Sequence, residues 1–309
     1  VTAHRSGKGV VSDDSPHGLS AVAAWEYWAN CDLLIGIGSR LELQYLRWRW
    51  FPKNLKVVRI DIDPTEMVRL RPEVGLVTDA ELGTRALIDA LRPVISARAS
   101  QVKQLMDIKE RARAAIQSVA PQMAYLNVIR EVLPRDGYFC EEISQVGFTA
   151  RFGFPVYKPR QYVTCGYQDN LGFGFSTALG VKVAHPDKAV VAVSGDGGFL
   201  FGVQELATAV QYRINLVTIV FNNSGYGNVR RDQQDKYQGR LLGVELRNPD
   251  FVRLAESFGA LGLRAESPEA LKPVLERAFA ADSPVVIEVN FPPGGESSPW
   301  GFLHPAPPA

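Results

Sequence analysis

The stretch Ser194–Gly227, SGDGGFLFGVQELATAVQYRINLVTIVFNNSGYG, sets a Gly-Asp-Gly turn and an Asn-Asn pair at opposite ends of a helix and a strand. Each tip closes an apolar run, AVVAVSGDGG in one case and INLVTIVFNN in the other, of the kind that makes a buried parallel strand. In doubly wound sheets, ligands bind outside the carboxyl ends of the strands. At the first end, Gly195, Gly197 and Gly198 would let the backbone approach a ligand closely, and the amides opening the next helix suit a phosphate. Asp196 is placed to bind a divalent cation that neutralises the phosphate. At the second end, the amide oxygen of Asn223 and the main-chain carbonyl of Gly225 would complete the protein's share of an octahedral oxygen site. Taken singly, Gly-Asp and Asn-Asn are ordinary turn dipeptides. Their joint occurrence after two apolar strands selects a phosphate and metal site.

The alternation extends outward in both directions and predicts an α/β protein with two doubly wound, mainly parallel-sheet domains. In residues 1–96, CDLLIGIGSR and LKVVRIDID read as strands, and GLSAVAAWEYWA and TRALIDALRPVI as helices, giving a partial central α/β domain. Residues 97–122, polar and rich in Arg, Lys and Ala, read as a partly helical linker without a strong apolar stripe. Residues 123–292 form the second domain, with strands in GYFCEE, KAVVAVSGDG, INLVTIVFNN and SPVVIEVN. Its helices are read in GFSTALGVKVA, LFGVQELATAVQY and PDFVRLAESFG. Residues 293–309 form a Pro- and Gly-rich tail, expected to be irregular.

With 46% hydrophobic and 22% charged residues over 309 positions, the composition is that of a soluble globular protein. Lys plus Arg numbers 34 against 33 Asp plus Glu, so no net field draws the chain to nucleic acid or to an anionic membrane. No apolar run approaches the roughly 20 residues that span a bilayer, and no signal peptide opens the chain. A cytoplasmic location is expected. Cys31, Cys140 and Cys165 lack metal or redox spacing and read as buried thiols in a reducing compartment. The opening VTAHRSGKGVVSDDSP reads as the interior of a domain, so a fragment of a longer protein is expected.

Gly195-Asp196-Gly197 followed by Asn222-Asn223 resembles the binding signature of thiamine diphosphate enzymes. The upstream GYQDNLGFGFSTALGVKVAHPDKAVVAVSGDG is similar to the matching region of the acetolactate synthase and 2-oxo acid decarboxylase group. GKGVVSDDSPHGLS, CDLLIGIGSRLE and VVRIDIDPTEM resemble that group's central domain. The resemblance implies magnesium held by Asp196, Asn223 and the Gly225 carbonyl. It places Gly197, Gly198, Tyr226 and Gln145 along the diphosphate, and makes Leu171 the wedge that bends the cofactor. The backbone at Asp169 would accept a hydrogen bond from the pyrimidine amino group. It further implies a 2-oxo acid substrate, a dimer or tetramer, and a pyrimidine-binding domain, as a further segment or a second chain, that carries the activating glutamate. Neither Glu205 nor any other Glu here is assigned that role.

Asp232 stands where acetolactate synthases place a pocket-shaping tryptophan, either as a solvated helix position or to suit another acceptor. GIGSRLELQYLRWRW lacks the acidic and basic pair of flavin-binding members, so FAD is not expected. Arg230 and Arg231 are read as surface salt-bridge formers, with contact to a substrate carboxylate or coenzyme phosphate as the alternative. Two alternatives compete. A dinucleotide-dependent oxidoreductase would use Gly36, Gly38 and Asp61 or Asp63, although Leu41 stands in for the third glycine. A non-catalytic scaffold chain would keep the fold without its activating domain.

Overall fold

The structure, a computed structural model, describes residues 1–307; the last two residues of the expected tail, Pro308 and Ala309, lie outside them. The chain divides into two compact units, one of Val1–Ser20 with Arg113–Pro299 and one of Ala21–Ala112 with the residues from Trp300 onward. Val1–Ser20, which the sequence grouped with the first domain, lies in the larger unit. There the Val156 amide donates to the Asp13 carboxylate (2.7 Å), and Gly9 packs against the Lys158 carbonyl.

In the smaller unit α1 (Ala21–Trp28) leads into β1 (Leu33–Ile37), β2 (Lys56–Asp61) and β3 (Val74–Val77), then α2 (Ala80–Leu91). The three strands are parallel and sequential, with Ile35 opposite Val58 and Val58 opposite Val74. Trp25 and Trp28 both pack on Trp48, each with ring centroids 5.2 Å apart. The carboxyl edge of this sheet is filled by Arg59, which is fully buried. Its guanidinium donates to the carbonyls of Ser39, Glu66 and Arg69, with the Glu66 carboxylate at 3.5 Å and Asp61 at 3.8 Å. The partial dinucleotide fingerprint is therefore occupied from within: Gly36 faces the Leu41 side chain, and Asp63 caps the turn at Thr65.

Helix α3 (Val102–Ile116) replaces the partly helical linker expected over 97–122. Its stripe of Leu105, Ile108, Ala112 and Ile116 is buried at helical spacing. Its bulky members Leu105, Ile108 and Ile116 are spread through a run of Lys, Arg and Glu, which is why the pattern reads weakly in sequence.

The larger unit contains α4 (Gln122–Val132), β4 (Tyr138–Glu141), α5 (Gln145–Gly153), β5 (Tyr162–Val163), α6 (Phe173–Ala184), β6 (Val190–Gly195), α7 (Asp196–Leu200) and α8 (Leu206–Gln211). It continues with β7 (Val217–Asn222), α9 (Gly227–Lys236), α10 (Phe251–Phe258), β8 (Leu261–Ala265), α11 (Pro268–Ala280) and β9 (Val285–Asn290). The tail adds a short α12 (Trp300–Leu303), which belongs to the smaller unit. The sheet is wholly parallel in the order β5-β4-β6-β7-β9-β8. Helices cover both faces, so β6 and β7 are buried at every position but the last and apolar apart from Ser194 and Thr218. The helix read in LFGVQELATAVQY is broken into α7, a 3-10 turn at Val203–Glu205 and α8.

From β4 the chain runs outward to edge strand β5, then returns to lay β6 on the other side of β4. That reversal opens a crevice at the carboxyl ends of β4 and β6. Of the cysteines only Cys140 is buried; Cys31 and Cys165 are partly exposed, and all three are free thiols. Among the described residues no helix is long and apolar enough to cross a membrane.

Candidate functional site

The crevice holds a cavity of about 140 Å³ walled by the tips of β4, β6 and β7 and by the segment after β9. Asp196 is buried at the start of α7. One carboxylate oxygen accepts from the Gly197 amide (2.9 Å); the other accepts from the Gly225 amide (3.1 Å) and from Asn248 Nδ2 (2.6 Å). Asn223 Oδ1 accepts from the same Gly225 amide at 3.1 Å, so the oxygens of Asp196 and Asn223 converge on one point. The loop that carries Gly225 is fixed by Tyr226 N donating to Val244 O and Leu246 N donating to Ser224 O, each 2.9 Å.

Every donor named on Asp196 is a neutral amide. Burial pushes its carboxyl above the ordinary range, against the hydrogen bonds from Gly197, Asn248 and Gly225 that hold it down. A desolvated carboxylate beside an amide oxygen, with the Gly225 main chain between them, is a set of hard oxygens suited to a small divalent cation. Among the described residues no group of three or more His, Cys, Asp or Glu is placed to hold a metal. Any cation here would therefore depend on this mixed set.

Nine of the ten residues read from the sequence line the cavity: Gln145, Leu171, Gly195, Asp196, Gly197, Gly198, Asn223, Gly225 and Tyr226. Asp169 does not. Its backbone is left-handed (φ 52°), and its carboxylate is held by Arg151 at 2.7 Å and Arg5 at 3.1 Å. Arg151, itself buried, also pairs with Glu141 at 2.7 Å, so this cluster pins the loop leading to Leu171.

The glycines of the turn have a different reason from the one the sequence suggested. A Cβ on Gly197 would come within 2.5 Å of the Tyr226 ring, and one on Gly198 within 2.5 Å of Glu142 Oε1. Packing inside the protein, rather than ligand approach alone, forbids a side chain there.

Four residues brace these positions in ways not assigned to them from the sequence. Glu142, fully buried, accepts from Ser194 Oγ and from the Gly172 amide, and so ties β6 to the Leu171 loop. Burial pushes its carboxyl up, opposed by bonds from Ser194, Gly172 and Gly174. Asn248 links Asp196 to Asn222. Glu296, from the tail, accepts from Asn223 Nδ2 at 2.7 Å. Arg231 turns inward, donating from both terminal nitrogens to Gln145 Oε1 at 3.2 Å, whereas Arg230 makes the expected surface pair with Glu245. Because Arg231 only donates, it fixes Gln145 Oε1 on its side and leaves the buried Nε2 without a partner beside the cavity. Asp232 pairs with Lys236 one turn along α9, and Glu205 accepts from Thr208.

Residues 142–289 match the family model for the C-terminal binding domain of thiamine pyrophosphate enzymes, and residues 1–87 match that for their central domain. The chain belongs to the thiamine pyrophosphate enzyme family. It is 33% identical over 307 residues to a probable acetolactate synthase large subunit of Methanocaldococcus jannaschii, covering 93% of this chain and 52% of that protein. It is 30% identical over 268 residues to the acetolactate synthase isozyme 3 large subunit of Escherichia coli, covering 81% and 46%. A probable 2-ketoarginine decarboxylase of Pseudomonas aeruginosa is 28% identical over 293 residues, covering 92% and 52%. The chain thus spans about half the length of the curated relatives it matches. A thiamine diphosphate-dependent 4-hydroxybenzoylformate decarboxylase of Rhodococcus jostii shares the fold (TM-score 0.67, 22% identity, 84% of this chain and 49% of that one).

Proposed function

We propose that this chain holds thiamine diphosphate and Mg²⁺ for the decarboxylation of a 2-oxo acid, with or without carboligation, together with a pyrimidine-binding domain supplied by a further segment or a second chain. The observation that carries the reading is the convergence of Asp196 and Asn223 oxygens on the Gly225 amide, in a cavity that Leu171 also lines. Bound there, thiamine diphosphate would supply an electron sink for the carbanion left by loss of CO₂.

The chain's own residues do the positioning. Asp196, Asn223 and the Gly225 carbonyl would hold the cation, and Gln145 Nε2 and the Tyr226 side would meet the diphosphate. Leu171, on a loop pinned through Glu142 and the Arg151 cluster, lines the same cavity and would brace the cofactor's bent form. Asp232, partly exposed and engaged with Lys236 one turn along, fits a solvated helix position rather than a pocket wall. A dimer or tetramer in the cytoplasm completes the reading.

Calorimetric titration of thiamine diphosphate into the chain, with and without Mg²⁺, tests it. Magnesium-dependent binding is expected. Binding that ignores Mg²⁺, or no binding, overturns the assignment.

A further inference from the structure

Asn223 raises a problem that its neighbours answer. A side-chain amide presents oxygen on one side and two N–H donors on the other, and only the oxygen side serves a cation. Next to Asp196, a buried carboxylate that accepts hydrogen bonds, the favoured orientation of a free amide would be NH₂ toward Asp196. Asn223 is found the other way round, Oδ1 on the Asp196 side and Nδ2 donating at 2.7 Å to Glu296 Oε1. The Nδ2 is enclosed, since a Cβ on Gly227 would come within 2.8 Å of it.

Glu296 is held in place by its own surroundings. Its backbone carbonyl accepts from Arg231 at 3.4 Å. The next residue is tied on both sides, Ser297 N donating to Ala120 O at 3.2 Å and Gln122 Nε2 donating to Ser297 O. At the root of the segment, Phe291 N donates to Asn222 O at 2.7 Å and the Phe291 ring stacks on Phe221. The tail is thus a strap anchored at both ends, delivering one carboxylate to the back of Asn223.

We infer that Glu296 is a positioning residue for the cation site: it takes the NH₂ of Asn223 and so keeps Oδ1 turned toward Asp196. This rests on the proposed Mg²⁺ and thiamine diphosphate site. Outer partners of this kind commonly change metal affinity by about 10- to 100-fold when removed. Without Glu296, only the Gly225 amide, which Asp196 shares, would hold Oδ1 in place, and a flipped Asn223 would be free to donate to Asp196 and close the site with a hydrogen bond. A glutamine at 296 would still offer an oxygen acceptor, though no charge.

The test is electron paramagnetic titration of Mn²⁺ into the full chain in the presence of thiamine diphosphate, for the wild type, Glu296→Ala and Glu296→Gln. Expected are Mn²⁺ affinity reduced roughly tenfold or more in the alanine variant and substantial recovery in the glutamine variant. Equal affinity in the alanine variant overturns the inference alone. An equal loss in both variants also overturns it, showing that the charge itself binds the cation. Tighter cofactor binding by the alanine variant overturns it in favour of a strap that competes with the diphosphate. Failure of the wild type to bind Mn²⁺ at all brings down both this inference and the functional proposal.

Discussion

The two parallel sheets end in opposite ways. At the carboxyl edge of β1–β3 a cation supplied by the protein, Arg59, closes the crevice, with Glu66 and Asp61 around it and three carbonyls accepting from it. At the edge of β4, β6 and β7 a buried carboxylate, Asp196, meets only neutral amides and faces a cavity of about 140 Å³. The backbone plan is the same and the sites differ, because one sheet satisfies its charges internally and the other leaves a negative charge to be matched. A parallel sheet offers a place for a ligand; the side chains decide whether that place is kept open.

The largest effect should come from breaking the closed edge. Arg59→Met removes the fully buried cation, leaving Glu66 to Arg69 (3.2 Å) and Arg40 (3.5 Å) but taking from Asp61 its guanidinium and from three carbonyls their donor, a change that typically costs about 3 kcal/mol or more. All five tryptophans, at positions 25, 28, 48, 50 and 300, lie in the smaller unit, so tryptophan fluorescence during urea unfolding reports on it selectively. The fluorescence midpoint should fall sharply while thiamine diphosphate affinity stays unchanged. An unmoved midpoint would show that Arg59 is no keystone.

Next in size is the open edge. Asp196→Ala removes the charged member of the donor set, and magnesium-dependent cofactor affinity should drop by about 100-fold or more. The fluorescence midpoint should hold. Comparable cofactor affinity in the variant would mean that Mg²⁺ is not held here.

These two edges were unequally legible in the sequence. The β6 and β7 motif could be read because two apolar runs end directly in residues that bear oxygen ligands, and strand direction then fixes where those ligands point. Leu171 and Gln145 followed from the resemblance. Glu296 and Asn248 were invisible for a physical reason: each reaches the site by a tertiary return, Glu296 lying 73 residues beyond Asn223 in a Pro- and Gly-rich tail. Glu141 and Glu142 stand side by side, yet strand alternation sends one to Arg151 and the other beneath Gly198. Arg231 was expected at the surface because nothing local marks which of two adjacent arginines faces inward. The helix of residues 102–116 was masked by its charges, and the short β5 and β3 carry too few residues to show a period.

A smaller effect should follow from Leu171→Ala. Leu171 lines the cavity at the end of a loop fixed by the Glu142 and Arg151 clusters, so truncation leaves the cation ligands in place and takes away only the wedge. In the assembly proposed above, with a pyrimidine-binding domain present, turnover should fall by about tenfold, with cofactor affinity nearly constant. A loss confined to affinity would make Leu171 an ordinary wall residue.

The smallest effect concerns pH and sharpens the contrast further. The Glu142 carboxyl is raised by burial and has no cation beside it of the kind Arg59 offers Glu66 and Asp61. For an acid whose folded value lies above its unfolded value, the unfolded chain releases the proton first, so stability falls as pH rises from the unfolded value, about 4.3, through the folded one. Above that window the full penalty persists. Glu142→Gln keeps an oxygen for the Gly172 amide and turns an NH₂ to the Ser194 hydroxyl, which can accept, without the titrating proton, and should flatten this segment of the stability profile of the larger unit, followed by far-ultraviolet circular dichroism in urea. If the wild-type and variant profiles run parallel across the window, the charge on Glu142 is already compensated, and the open edge would differ from the closed one only at Asp196.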